Sequence, residues 1–145
     1  MRDKLLLPEY LVGDMSNSVR KPVYSSRLPK PIAPYSPAIL SNGFIFVSGQ
    51  LGVDPKTGKL VGSSVEEQTR QALENAKLLL EEVGLTLRDV VKVTVYLANI
   101  ADFERMNQVY KTYFTEEPPA RTTVQAQPPV RDALVEVELI AALKS

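Results

Sequence analysis

Residues 64–97, SVEEQTRQALENAKLLLEEVGLTLRDVVKVTVYL, change hydrophobic period part-way along. Ser64 followed by Glu67 makes a capping box, in which two side chains satisfy orphan amides of a helix's first turn. Val65, Thr69, Ala72, Ala76, Leu79, Leu80 and Val83 then recur at helical spacing, and Gly84 offers the left-handed residue that ends such a helix. From Val91 the period drops to two. Val91, Val93, Val95 and Leu97 fall on one face and Lys92, Thr94 and Tyr96 on the other, as in a strand with one face buried.

Upstream, Ala38–Leu40 and Phe44–Ser48 flank Asn42-Gly43, a dipeptide that tolerates the positive φ angles of a tight hairpin turn, so a strand pair is expected there. Asp54-Pro-Lys-Thr-Gly58 is turn chemistry. Its surroundings mimic a phosphate loop, but the spacer from Gly52 to Gly58-Lys59 is too long and Leu60 stands where Ser or Thr would hold magnesium; nucleotide binding is rejected. Downstream, a second helix starts near Asp102, with Phe103, Asn107, Tyr110 and Phe114 on one face. Asn107 is the anomaly, since an amide on an apolar stripe must find partners or cost stability. The residues favour a satisfied core amide over a ligand contact.

Two further strands follow: Arg121 to Gln127, and Leu134 to Leu143, with Val135, Val137, Leu139, Ala141 and Leu143 on one face and Glu136 and Glu138 on the other. The order of elements predicts a single α/β (α+β) domain, a mixed β-sheet with two main helices packed on one face.

Composition narrows the chemistry. The 145 residues, 44% hydrophobic and 23% charged, suffice for one domain with a real core. There is no His, Cys or Trp, so one copy of the chain cannot build a thiol nucleophile, a Cys/His zinc site or a Ser/His/Asp triad. Acid–base work falls to Asp, Glu, Lys, Tyr or the substrate. The 17 bases balance 17 acids, but residues 1–30 hold six bases against three acids, leaving the rest net acidic. No run approaches the length of a membrane span.

Residues 1–22 are read as a peripheral N-terminal extension and 23–145 as the domain; whether the extension is a processed leader, a genuine extension or the result of a start at Met15 is left open by the residues. A cytoplasmic location is expected, or an organelle if the extension is a processed leader. Prolines 31, 34 and 37 recur every third residue, as in a polyproline ligand; an extended lead-in to the first hairpin is the plainer reading.

Arg121, opening one strand, and Glu136 and Glu138 on the next form the charged constellation of the sheet. If these strands pair as a hairpin around Pro128 and Pro129, the Arg121 and Glu136 faces can share a side, but register parity is not readable from sequence. A cross-strand ion pair on a solvated face explains the same residues.

Ala33-Pro-Tyr-Ser36, Ser48-Gly-Gln50, Asp54–Gly58, Gln68, Asn75, Val91–Leu97, Phe103, Asn107, Tyr110, Tyr113-Phe114, Pro119-Ala-Arg121 and Val135–Glu138, in this order, resemble the Rid (YjgF/L-PSP) family of imine and enamine deaminases from residue 23 to 142. The resemblance implies a YjgF/chorismate-mutase-like fold assembled as a trimeric barrel, with clefts between subunits. It also implies hydrolysis of 2-iminobutyrate or 2-iminopropionate, products of pyridoxal-phosphate enzymes, to 2-keto acids and ammonia, with no metal or organic cofactor. Carried over, Arg121 would clamp the substrate carboxylate and Glu136 would hold the attacking water. Tyr35, Ser48 and Asn107 would line the pocket, and Gly49 and Thr123 would offer backbone groups. Where many relatives have Gly, Cys and Leu-Pro, this chain has Ala33, Thr123 and Gln127-Pro128-Pro129. Glu138 is read as structural or interfacial.

The chemistry suits these residues. A guanidinium grips a carboxylate through two parallel hydrogen bonds. A protonated imine carbon is already electrophilic, so one carboxylate that orients water and collects its proton is enough. Two rivals are an RNA-directed translation inhibitor or endoribonuclease, which the acidic balance of residues 31–145 disfavours, and a non-enzymatic binder or chaperone using the same Arg121.

Overall fold

The computed structural model describes residues 20–144. Six strands form one sheet: β1 (Lys21–Val23), β2 (Ala38–Ser41), β3 (Phe44–Leu51), β4 (Val90–Leu97), β5 (Ala120–Gln125) and β6 (Val135–Ala142). Two helices, α1 (Val65–Glu81) and α2 (Phe103–Tyr113), pack against each other, and α1 lies across β3 and β6. The sheet order is β1-β2-β3-β6-β4-β5, antiparallel except for the parallel pair β4–β5. The expected mixed sheet with two helices on one face is what forms.

Local chemistry explains the elements. Asn42 and Gly43 take φ of 51° and 83°, the left-handed pair that a two-residue hairpin requires, and Ser41 pairs with Phe44 across them. The Ser64 hydroxyl accepts from the Glu67 amide and donates to its carboxylate, closing the start of α1. At the other end Gly84 turns left-handed, and the amides of Gly84 and Leu85 bond back to the carbonyls of Glu81 and Leu80. Between helices and sheet, Ile45, Val47, Leu73, Leu79, Val93, Val95, Leu97, Met106, Val135, Val137 and Leu139 make one core.

The structure corrects two expectations. The strand read from Val91 keeps its alternation from Val93 onward, but a register shift between Val90 and Lys92 buries Val90 and leaves Val91 43% exposed. β5 and β6 do not pair as a hairpin; β4 runs between them. The extension assigned to residues 1–22 lies, through residue 19, outside the described residues, whereas Lys21 already begins β1.

Gln68 fastens the approach to β6. Fully buried on α1, it donates to the carbonyls of Gly62 and Asp132 and accepts from the Leu134 amide at 2.7 Å. A buried amide saturated in this way pins the loop that carries Pro128 and Pro129.

Candidate active site

β4 is the ruler along which the site residues are placed. Arg121 pairs with Val93, and Thr123 with Val95, so both side chains share the helix-covered face with those buried valines. Glu136 pairs with Tyr96, and Glu138 with Thr94, on the opposite face. Val93 and Tyr96 are an odd number of residues apart, and side chains alternate along a strand. Within one chain, therefore, Arg121 and Glu136 lie on opposite faces of the sheet. The shared side that a β5–β6 hairpin would have allowed is not realised.

On the helix face α2 builds a seat for the guanidinium. Arg121 Nη1 donates to Asn107 Oδ1 at 2.8 Å, and its guanidinium carbon lies 4.6 Å from the Tyr110 ring centre and 5.5 Å from that of Phe103. Positions 103, 107 and 110 are successive neighbours on one helical face, so the stripe that looked like core is a cradle for a cation. Asn107 is half-buried rather than a core amide that ties a loop, and its Oδ1 accepts from Arg121. Burial pushes the Tyr110 phenol up to about 12, with Arg121 pulling the other way. Thr123 Oγ1 is buried without a hydrogen-bond partner, and β5 is the sheet's edge strand, open on one side.

The other face carries a graded surface. Ile39, Phe46 and Ile140 lie in one row across β2, β3 and β6, and Phe44 and Ala142 in the next; Phe44 and Phe46 are 41% and 43% exposed. Towards the other end of β6 the face turns polar with Glu138 and then Glu136. Gly49 makes room for the second carboxylate: a Cβ there would stand 2.4 Å from Glu136 Oε2. Burial first, and then the charge of Glu138, raise the Glu136 carboxyl above its ordinary pKa. The Tyr96 hydroxyl donates to Glu138 Oε1; that bond, followed by burial, lifts the phenol to about 12.

Tyr35 and Ser48 belong with this second group. The Ser48 hydroxyl donates to the Ser36 carbonyl at 2.6 Å, tying the proline-rich lead-in to β3. Tyr35 and Gly49 border a cavity of about 180 Å³ walled by Leu28, Pro31, Pro37 and Val53. Two of the three prolines spaced like a ligand, Pro31 and Pro37, are thus among its walls. The expected set divides into Arg121, Asn107 and Thr123 on one side and Glu136, Gly49, Ser48 and Tyr35 on the other. Missed were the parts played by Phe103 and Tyr110 as stacking partners, which the amide on an aromatic stripe signalled, and the link between Tyr96 and Glu138, which only strand register reveals.

The pattern described as Endoribonuclease L-PSP matches residues 25–143. The chain belongs to the Rid (YjgF/L-PSP) family. Among Rid relatives, a RutC family protein of Pyrococcus horikoshii is 47% identical over 123 residues, 85% of this chain and 98% of its own. The 2-iminobutanoate/2-iminopropanoate deaminase of Rattus norvegicus is 42% identical over 127 residues, covering 88% of this chain and 93% of the relative. Of solved structures, a putative endoribonuclease of Thermotoga maritima superposes with a TM-score of 0.81 at 44% identity, over 86% of this chain and 98% of that one. The E. coli TdcF structure with bound serine does so at 0.78 and 35%, over 86% and 99%.

Proposed function

We propose that this Rid protein hydrolyses small 2-imino acids, in their imine or enamine forms, to 2-keto acids and ammonia, at sites completed by a second copy of the chain. The observation that carries the reading is the division of the site. A guanidinium fixed by an amide and two rings stands at the open sheet edge, and a proton-avid carboxylate stands on the opposite face. One chain cannot bring them to one substrate. Copies that meet through the face bearing Phe44 and Phe46 cover exposed aromatic surface and can set the β5 edge of one against the Glu136 end of another. The trimer that the family resemblance implies is such an assembly. A relative named 2-iminobutanoate/2-iminopropanoate deaminase and another holding serine, a small 2-amino acid, support this substrate class.

In the proposed reaction Arg121 grips the substrate carboxylate, with Thr123 and Gly49 offering backbone groups and Tyr35, Ser48 and Asn107 shaping the pocket. Glu136 takes a proton from water as its oxygen bonds to the iminium carbon and the C=N pair moves to nitrogen. Glu136 then returns that proton to nitrogen. As C=O forms, ammonia leaves, the hydroxyl proton passes back through Glu136, and ammonium departs. A carboxyl held above its ordinary pKa suits both directions of transfer. Nothing in the geometry favours an RNA-directed role over this.

The test adds purified protein to a pyridoxal-phosphate threonine dehydratase reaction and follows 2-keto acid release, which should accelerate. Arg121→Ala and Glu136→Ala should each abolish the effect. Equal amounts of the two, unfolded and refolded together, should regain roughly a quarter of the wild-type rate, because mixed assemblies contain some sites with both intact residues. An undiminished rate in Arg121→Ala, or no acceleration by the wild type, sinks the reading.

A further inference from the structure

The helix-free face holds a second carboxylate that the proposed reaction leaves unused. Glu138 lies two residues from Glu136 on the same face of β6, and it is anchored, since the Tyr96 hydroxyl of β4 reaches across the strands to donate to Oε1. Resting on the deaminase reading, we infer that Glu138, held by Tyr96, is a positioning residue for the reaction: its fixed negative charge keeps Glu136 avid for the proton released as water adds to the imine.

Within one chain Glu138 is the acidic group beside Glu136 on this face, and in the proposed assembly its pull is opposed by the Arg121 guanidinium that a second copy brings to the site. On β4 the other titratable group of the face is Lys92, one row further from Glu136 than Glu138 is, and its Nζ is bonded to Thr122 Oγ1 at 2.7 Å. On this face β5 contributes Thr122 and Val124, neither titratable, and β3 contributes Phe44, Phe46 and Gly49. From the lead-in loop Tyr35 borders the cavity that Gly49 also lines. Two like charges on one face resist being charged together, so the anchored one raises the proton affinity of the free one. Burial is the larger cause of the raised Glu136 pKa, and the charge of Glu138 adds to it in the same direction. Tyr96 serves by denying Glu138 the freedom to swing into solvent.

The experiment uses the full chain with ¹³C-labelled glutamate, the Glu136 signal being assigned by its loss in Glu136→Gln. Its titration midpoint and the acidic limb of kcat/KM against pH are measured in the wild type, Glu138→Gln, Glu138→Asp and Tyr96→Phe. Glu138→Gln should lower both midpoint and limb, with kcat falling about 10-fold at little change in KM. Glu138→Asp, which keeps the charge, should restore most of both, and Tyr96→Phe should fall between. An unmoved Glu136 midpoint in Glu138→Gln overturns the proposal, as does a loss of kcat with the acidic limb in place. If the wild type has no deaminase activity, the catalytic reading fails and the positioning role with it, while the titration still shows separately whether the two carboxylates are coupled.

Discussion

Gly49 owes its place in the sheet to Glu136: the carboxylate of Glu136 occupies the space that a side chain at position 49 would fill, with Oε2 2.4 Å from an ideal Cβ. The obstructing atoms are the far end of a flexible side chain, so a methyl group there displaces the carboxylate at little cost to the fold. Gly49→Ala is expected to leave thermal unfolding nearly unchanged while lowering kcat about 100-fold, because misplacement by an ångström is enough to lose an oriented water. Circular-dichroism melts and the coupled dehydratase assay separate the two effects.

Arg121 is held by one hydrogen bond and two aromatic faces, which a lysine ammonium cannot reproduce together. Arg121→Lys should cost about 100-fold in kcat/KM, mostly through KM, although the charge is conserved. Asn107→Ala frees one edge of the guanidinium and should cost about 10-fold. Steady-state kinetics on 2-iminobutyrate check both, and a lysine variant as active as the wild type would count against the clamp.

Glu136 carries a stability cost with a definite sign. Its folded carboxyl binds a proton more tightly than in the unfolded chain, so its ionised form destabilises the fold as pH rises through the folded pKa. Glu136→Gln should therefore melt a few degrees above the wild type at pH 8. The gap should close as pH falls below the unfolded carboxylate value of about 4.3. Calorimetry across that range reads it directly.

Gln68 saturates three backbone groups at the approach to β6. Gln68→Ala leaves these partly buried groups without their partner and a gap where Gln68 was fully enclosed, and is expected to destabilise the protein by about 2 kcal/mol in denaturant titrations, a loss larger than an exposed glutamine would cause.

Phe46 is 43% exposed and stands between Ile39 and Ile140. Phe46→Lys puts a charge in the row through which copies are proposed to meet. Sedimentation should then show monomers with an unchanged circular-dichroism spectrum and no deaminase activity, since each site needs two chains.

Residues 64–97 were sufficient to foresee α1 and β4, and Asn42-Gly43 the first hairpin, because capping, periodicity and left-handed turns are properties of neighbouring residues. The seat of Arg121 was half legible: Asn107 stood out on its stripe, but the partner that satisfies it comes from a strand beyond the end of α2.

The sequence by itself determined which residues alternate, where helices start and stop, and which groups are chemically able to grip a carboxylate or move a proton. Only the tertiary structure decided that β4 runs between β5 and β6, that Val91 is turned outward, and that Arg121 and Glu136 occupy opposite faces. The physical reason is parity: a slip of one residue in pairing moves every side chain of a strand to the other face, and pairing is set by contacts between distant segments rather than by any local run of residues.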